Sequence, residues 1–413
     1  MFYNLLRGFL YPFLFIFLLF KPKKLKFVFQ RLFQDFSILE KKAKYIWIHC
    51  SSVGEINLID ALVKKLKNDF NENILLTVFT DTGYEIAINK YSKDDRISIF
   101  RFPLDDIFIL KKIFNYIQVS KIILIETEIW PNFINLGSKY SKIFIVNGRI
   151  SNKSFPRYKK ISWIIKPLFS KISGFFMQSQ EDKNRIILLG ADKNKVFVTG
   201  NLKFDISFET FSSEDMSNLK RFIKSDTRKI FVAGSTRQGE DSILIDVFKE
   251  LKNTLLIIVP RHLERVPEIE TLVKNSNLTY KKLTDLELNP SSEEFQILIV
   301  DKMGVLRKFY SIADVVFVGG TLVNIGGHSL LEPLFYGKSP IFGPYLQNVK
   351  DISKDILNLN IGYKINNKEE FLNTINLLET KPVSEDKIKA FFKSNQNAAE
   401  KTIKFMEEEW KKD

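Results

Sequence analysis

From residue 44 onward, short apolar runs alternate with longer stretches of helical periodicity. In the first half the runs fall at Tyr45–Cys50, Ile74–Phe79, Ile97–Phe100, Lys121–Ile125, Lys142–Val146, Gly174–Gln178 and Val196–Thr199. In the second half they fall at Lys229–Ala233, Leu255–Val259, Gln296–Val300, Asp314–Val318 and Pro340–Phe342. Between them, stretches such as Ile56–Lys67 and Asp241–Leu251 space their apolar residues as helices do. The alternation predicts an α/β chain of parallel sheets covered by helices. Asp205–Asp226 is polar and lacks strand character, so it marks the expected boundary between two doubly wound, Rossmann-like domains. Ligands of such domains bind outside the strand carboxyl ends, and a cleft is expected there.

The first residues follow a different pattern. Gly8–Phe20 is thirteen residues without a charge. Even with Leu5 and Leu6 it falls short of the roughly 20 residues that a spanning helix needs. Lys21, Lys23, Lys24 and Lys26 follow at once. A cleaved signal peptide would carry a basic lead-in and a small-residue cleavage site; here only Arg7 precedes the apolar run and no A-x-A-like site follows it. An uncleaved membrane-anchor helix is expected, either spanning the bilayer or lying in its interface. The lysines would face anionic headgroups on the cytoplasmic side of the membrane. The expected organisation is 1–26 anchor, 27–205 first Rossmann-like domain and 206–413 second Rossmann-like domain.

Composition narrows the function. Hydrophobic residues make up 45% and charged residues 27% of 413, which excludes a disordered chain. The net charge is +14, and residues 1–44 carry half of it, with nine basic groups against Asp35 and Glu40. Charge gathered beside an apolar anchor suits an anionic lipid surface better than a nucleic acid. One cysteine, Cys50, and three histidines exclude an internal disulfide and argue against thiolate or multi-histidine metal sites. No metal or other cofactor is expected.

The common signatures are missing. No G-x-G-x-x-G follows a strand, no G-x-S-x-G or H-E-x-x-H occurs, and Gly337-Lys338-Ser339 lacks the first glycine of a P-loop. Glycines cluster instead at Gly319-Gly320 and Gly326-Gly327. Such pairs before a helix can bring bare amides to a phosphate, or simply form a tight capping turn. Glu332, one turn into the helix, could accept both hydroxyls of a ribose. Arg261 follows a strand directly and suits a phosphate. Glu55, at the helix start after Ser51-Ser52-Val53-Gly54, is favoured by the helix dipole, which should keep it ionised as a base must be. Glu126 and Glu128 lie two apart in what reads as extended chain, and so share a face. Lys203 places a cation near the domain junction.

Taken together, these segments resemble the 3-deoxy-D-manno-octulosonic acid (Kdo) transferase family, GT-B glycosyltransferases that move Kdo from CMP-Kdo to a lipid A precursor. The resemblance rests on WIHCSSVGE, ETEIWPN, NGRIS, QSQEDKNRIILLGA, TGNLKFD, VAGSTRQGE, IIVPRH, DKMG, FYSIADVVFVGGTL, GGHSLLEP and FGP, in that order from residue 47 to about 344. It implies two Rossmann-like domains of the GT-B type with a cleft between them, the first for the acceptor and the second for the CMP-sugar, and an N-terminus associated with the inner membrane. It also implies Glu55 as proton acceptor, with Glu126 and Lys203 supporting the transition state. CMP contacts are implied at Pro260, Arg261, Met303, Gly304 and Val305, and at Ser329, Leu330, Leu331 and Glu332. This chain departs from the family pattern at Val305, where Glu is usual, at HSLLEP, where HNPLEP is usual, and at Arg237, where His is common. The implied reaction is an early step of lipopolysaccharide core assembly, with inversion at the anomeric carbon. A nucleotide-sugar epimerase on the same two-domain frame is the alternative, and a non-catalytic membrane-docked module a further one. Neither accounts for the SVGE and ETEIWP motifs together.

Overall fold

The computed structural model describes residues 2–205, 208–290 and 293–410. The chain divides into two compact units, one of residues 1–207 with 395–413 and one of residues 208–394. Each is an α/β unit built on a seven-stranded, wholly parallel sheet.

In the first unit the strands are β1 (Lys44–Cys50), β2 (Asn73–Val78), β3 (Ile97–Arg101), β4 (Gln118–Ile125), β5 (Lys142–Gly148), β6 (Gly174–Met177) and β7 (Val196–Val198). They stand in the order β3-β2-β1-β4-β5-β6-β7. The order reverses between β1 and β4, so the loops after these two strands open a crevice at the carboxyl edge. The central strands, β1, β4 and β5 among them, are buried on both faces and read as near-continuous apolar runs. Alternate residues of β1 supply the two cores. Trp47 packs with Phe114 and Phe133 on one side, and Ile46 and Ile48 join the other.

The second unit carries β8 (Lys229–Thr236), β9 (Thr254–Pro260), β10 (Tyr280–Lys282), β11 (Ile297–Ile299), β12 (Val315–Val318), β13 (Pro340–Phe342) and β14 (Tyr363–Lys364). Their order is β10-β11-β9-β8-β12-β13-β14, so its reversal lies between β8 and β12. Gly319 makes that junction possible, since a Cβ there would sit 2.3 Å from the Ser235 carbonyl oxygen.

Three features differ from the sequence reading. The edge strands β10 and β14 were not foreseen, because YKK and YK contain no apolar run. The stretch Ile56–Lys67 is two helices, Val53–Leu58 and Asp60–Asp69. The closing helix Ala398–Trp410, expected with the second domain, packs in the first unit. Asp205 caps it, accepting the Ala398 and Ala399 amides at 3.0 and 2.5 Å. Its Ala398, Ala399, Ile403 and Met406 fill the core beside Ile46 and Ile48.

The apolar N-terminus is a helix, Phe2–Leu19, and a second helix, Pro22–Leu32, carries the lysines expected to end the anchor at residue 26. Among the described residues no helix is long and apolar enough to cross a membrane. Phe9, Phe13 and Phe17 of the first helix and Phe20 beyond it are exposed. Its opening turns are tied down. Arg7 donates to the carbonyls of Asp105 (2.7 Å) and Leu104 (3.0 Å), and Asn4 and Asn132 exchange side-chain hydrogen bonds at 2.9 and 2.7 Å.

Candidate functional site

Each unit presents a group of functional side chains at its own switch point. In the first unit, Ser51 and Ser52 leave β1 and enter the helix Val53–Leu58. Ser52 caps that helix, accepting the Glu55 amide at 3.4 Å. The Glu55 carboxylate reaches back, accepting the Ser51 amide at 2.6 Å and the Ser52 hydroxyl at 3.0 Å. This reciprocal cap fixes the side chain of Glu55, which is 5% exposed. Burial pushes its carboxyl up to about 8, aided by the negative charges of Glu126 and Glu128 and opposed by the Ser51 amide and the Ser52 hydroxyl. The sequence reading expected the helix dipole to keep Glu55 ionised; burial works in the opposite direction.

Glu126 and Glu128 lie after β4, on the other side of the switch point. They do not alternate along an extended strand as expected. Glu126 has φ +58°, in the left-handed region, and the chain bends there. The bend nevertheless leaves both carboxylates close enough to act on Glu55. Burial raises the Glu128 carboxyl as well. A non-glycine residue in this conformation is held against its own preference. Thr127 provides the hold. Its hydroxyl donates to the Arg149 carbonyl at 2.7 Å and accepts the Arg149 amide at 3.1 Å, tying the loop to the end of β5. Buried Asp105 caps the following helix, Pro131–Gly137, accepting the Asn132 and Phe133 amides at 2.9 and 2.7 Å. This is the same Asp105 segment that Arg7 grips, so the N-terminal helix braces the loop bearing the acidic pair.

Lys203 sits in a single 3-10 turn, Leu202–Phe204, beyond the end of β7. Buried Asn147, at φ +59°, accepts the Leu202 amide at 3.0 Å, and Asn201 accepts the Lys203 amide at 3.0 Å while donating to Gln178 at 3.1 Å. The Lys203 ammonium has no ion pair among the described residues.

In the second unit a cavity of about 310 Å³ lies at the carboxyl ends of β8, β9 and β11. Pro260, Arg261, Met303, Gly304 and Glu332 line it, and so do Ser235, Lys302 and Arg307, which the sequence reading did not single out. Arg307 stands 3.5 Å from Glu332 and draws its carboxyl down against the larger, opposite effect of burial. Val305 stands at the start of the helix Leu306–Ile312 without a side-chain capping bond, and is not among the residues lining the cavity. Leu330 and Leu331 are 0% and 3% exposed, so their side chains belong to the core and only their backbone could meet a ligand. Ser329 is half-buried.

The Gly319-Gly320 amides are not free to meet a phosphate. Glu240, fully buried, accepts the amides of Gly320 (2.8 Å), Thr321 (3.0 Å) and Leu322 (2.9 Å), and also that of Arg237 (2.9 Å). The Gly319 amide pairs with the Gly234 carbonyl at 2.8 Å. A protein carboxylate thus takes the place the sequence reading gave to a phosphate. Among the described residues no group of three or more His, Cys, Asp or Glu side chains is placed to hold a metal ion. His49 is fully buried between aromatic rings, which holds its imidazole down at about 3.

Known proteins place the chain further. Residues 26–206 match a family model described as 3-deoxy-D-manno-octulosonic-acid transferase (kdotransferase). A bifunctional glycosyltransferase/methyltransferase of Fusobacterium nucleatum is 53% identical over 407 residues, covering 97% of this chain and 62% of that protein. The chain therefore spans less than two thirds of that relative's length. A 3-deoxy-D-manno-octulosonic acid transferase of Haemophilus influenzae is 34% identical over 333 residues, 79% of this chain and 77% of the relative. Among solved structures, a UDP-GlcNAc 2-epimerase of Neisseria meningitidis bound to UDP-GlcNAc is similar with a TM-score of 0.53 over 90% of this chain and all of that one, at 12% identity, a likeness of fold alone. With two parallel-sheet α/β units and relatives of this identity and coverage, the chain belongs to the 3-deoxy-D-manno-octulosonic acid transferase family.

Proposed function

We propose that this chain is an inverting glycosyltransferase that moves Kdo from CMP-Kdo to a lipid A precursor at the inner membrane. The observation that carries the reading is Glu55, a buried carboxyl fixed at the switch point of a family member, with its proton affinity raised into the range of a working base. An acceptor hydroxyl oxygen attacks C2 of Kdo. The bond from C2 to the phosphate oxygen breaks, its electron pair leaves with CMP, and the hydroxyl proton passes to Glu55. A carboxylate base of this kind contributes about 10²–10⁴-fold. Lys203 and Glu126 support the charge that develops, and no metal is assigned a part.

On the donor side, the cavity of the second unit takes CMP. Arg261 meets the phosphate, the Met303-Gly304 backbone approaches the base, and Glu332 accepts from the ribose. Arg261 is exposed and makes no ion pair among the described residues, so its charge is available. Arg261→Ala should weaken CMP binding about ten- to a hundredfold, as befits a lost charged hydrogen bond of about 1.5–3 kcal/mol. Calorimetry giving unchanged CMP affinity would remove Arg261 from the site.

The Phe2–Leu19 helix serves as an interfacial anchor, its exposed phenylalanines entering the lipid surface and the lysines after it meeting headgroups. Deleting the helix would also remove the braces made by Asn4 and Arg7, so substitution is the cleaner probe. The triple change Phe9→Ser, Phe13→Ser and Phe17→Ser should shift the protein from the membrane pellet to the supernatant with its melting temperature preserved. Full retention in the pellet would contradict the anchor.

The transfer reading is tested by CMP release. Release from CMP-Kdo should depend on added lipid A precursor. Release at the same rate without it would make the protein a hydrolase of its donor rather than a transferase.

A further inference from the structure

Just beyond the rim of the nucleotide cavity lies a second cationic group that the reading above does not use. β8 ends at Thr236 and β9 at Pro260, and the Arg261 amide donates to the Thr236 carbonyl at 3.1 Å, so the two chain ends stay paired. The next residues, Arg237 and His262, extend past the cavity side by side. His328 comes to meet them from beyond β12, across the switch point. The Arg237 Nε–H donates to His328 Nε2 at 3.2 Å, and Arg237 Nη1 lies 2.5 Å from His262 Nε2. The His328 ring is seated on Gly320 (φ +70°), where a Cβ would come within 3.0 Å of it. Burial, then the charges of Arg237, Arg261 and His262, hold His328 down at about 4, so it is a neutral acceptor.

The guanidinium is therefore aimed by imidazole nitrogens, which orient it without cancelling its charge. No Asp or Glu among the described residues lies within 4.0 Å as an ion-pair partner of Arg237. Glu240, which accepts the Arg237 amide, is committed to four backbone amides in all, and Glu264 stands 3.6 Å from Nδ1 of His262 rather than against the guanidinium. An oriented, uncompensated guanidinium at a switch point is built to receive an anion, and its planar fork matches a carboxylate in particular.

We propose that Arg237 receives the carboxylate of the donor's 2-ulosonic acid, leaving Arg261 for the phosphodiester. The inference rests on the Kdo-transfer reading. CMP-Kdo carries two anionic groups on one carbon, C2, which bears both the phosphate oxygen and the C1 carboxylate. Arg261 lines the cavity and Arg237 stands just past it, so one guanidinium is at hand for each of the donor's two anionic groups. Arg237 would then select an acidic ulosonic sugar over a neutral one that the same CMP pocket could hold.

The test compares two ligands that differ in the carboxylate. For Arg237→Gln, KM for CMP-Kdo should rise about ten- to a hundredfold, while the inhibition constant of CMP stays within about twofold. Arg237→Lys, which keeps the charge but loses the fork, should fall between. A parallel rise of KM and of the CMP inhibition constant would put Arg237 on the phosphate and overturn the assignment. Unchanged values for both would reduce Arg237 to a structural residue. If the Gln variant fails to fold, the Lys variant decides by the same comparison. A parent protein that binds CMP but does not turn over CMP-Kdo would refute the transfer reading itself, a result separate from the behaviour of any Arg237 variant.

Discussion

Glu55→Gln yields a folded protein that binds CMP as the parent does and turns over at least about a hundredfold more slowly. Glutamine can keep the reciprocal cap, since its side-chain oxygen still accepts the Ser51 amide. It cannot take a proton. The pH profile of the parent carries the same signature. A base held at about 8 is only about one-tenth ionised at pH 7. kcat/KM should therefore climb about tenfold per pH unit below 8 and level off above it. Glu128→Gln removes a like charge beside Glu55, lowers its pKa and should move that limb to lower pH.

Stability follows with the opposite sign. The Glu55 carboxyl titrates at about 8 when folded and near its ordinary 4.5 when unfolded, so the folded state binds the proton more tightly. The stability this provides is full below pH 4.5 and is lost as pH rises through 8. Relative to the parent, the Gln variant should gain melting temperature across that window and hold the gain above it. A variant that is less stable at pH 8 than the parent would mean that the cap, rather than the buried charge, governs this position.

Glu240→Ala should be severely damaging to the second unit. Its carboxylate satisfies the amides of Gly320, Thr321, Leu322 and Arg237 in a fully buried setting. Removing it strands four donors, each worth about 1–3 kcal/mol when left unpaired. Partial relaxation and entry of water would still leave a loss on the order of 3–5 kcal/mol. Because the same amides shape the turn under His328 and Arg237, CMP-Kdo turnover should disappear with the fold of that turn. Urea unfolding within about 1 kcal/mol of the parent would show that the turn holds itself. Glu240→Gln keeps one acceptor oxygen but turns an amide group toward donors, and should fall between.

The strands legible in the sequence were those whose apolar runs are buried on both faces, such as Leu255–Val259 in the fully buried β9. Short edge strands with lysines gave no such signal, because an edge needs no second apolar face. The helix Ala398–Trp410 could not be assigned to its unit from the sequence, since an amphipathic pattern states that a helix packs and not against which sheet. At the site, the positions of Glu55, Glu126 and Arg261 were readable from strand ends, and their electrostatics were not. Helix-end position predicts an ionised Glu55, and only the packing around it reveals the desolvation that works against this. Glu240 stood in plain view in VAGSTRQGE, but three of its four amide partners lie about eighty residues away. A buried acid just after a glycine at a helix start was the one signal available. Arg7 and Asn4 were likewise masked by the apolar run around them, although polar residues inside such a run need partners.

The most direct measurement is mass spectrometry of the acceptor after incubation with CMP-Kdo, with the parent protein and Glu55→Gln run side by side. The account predicts a lipid A precursor heavier by Kdo with the parent and almost none with the variant at equal CMP binding. An acceptor unchanged by the parent, or modified equally well by the variant, would contradict it.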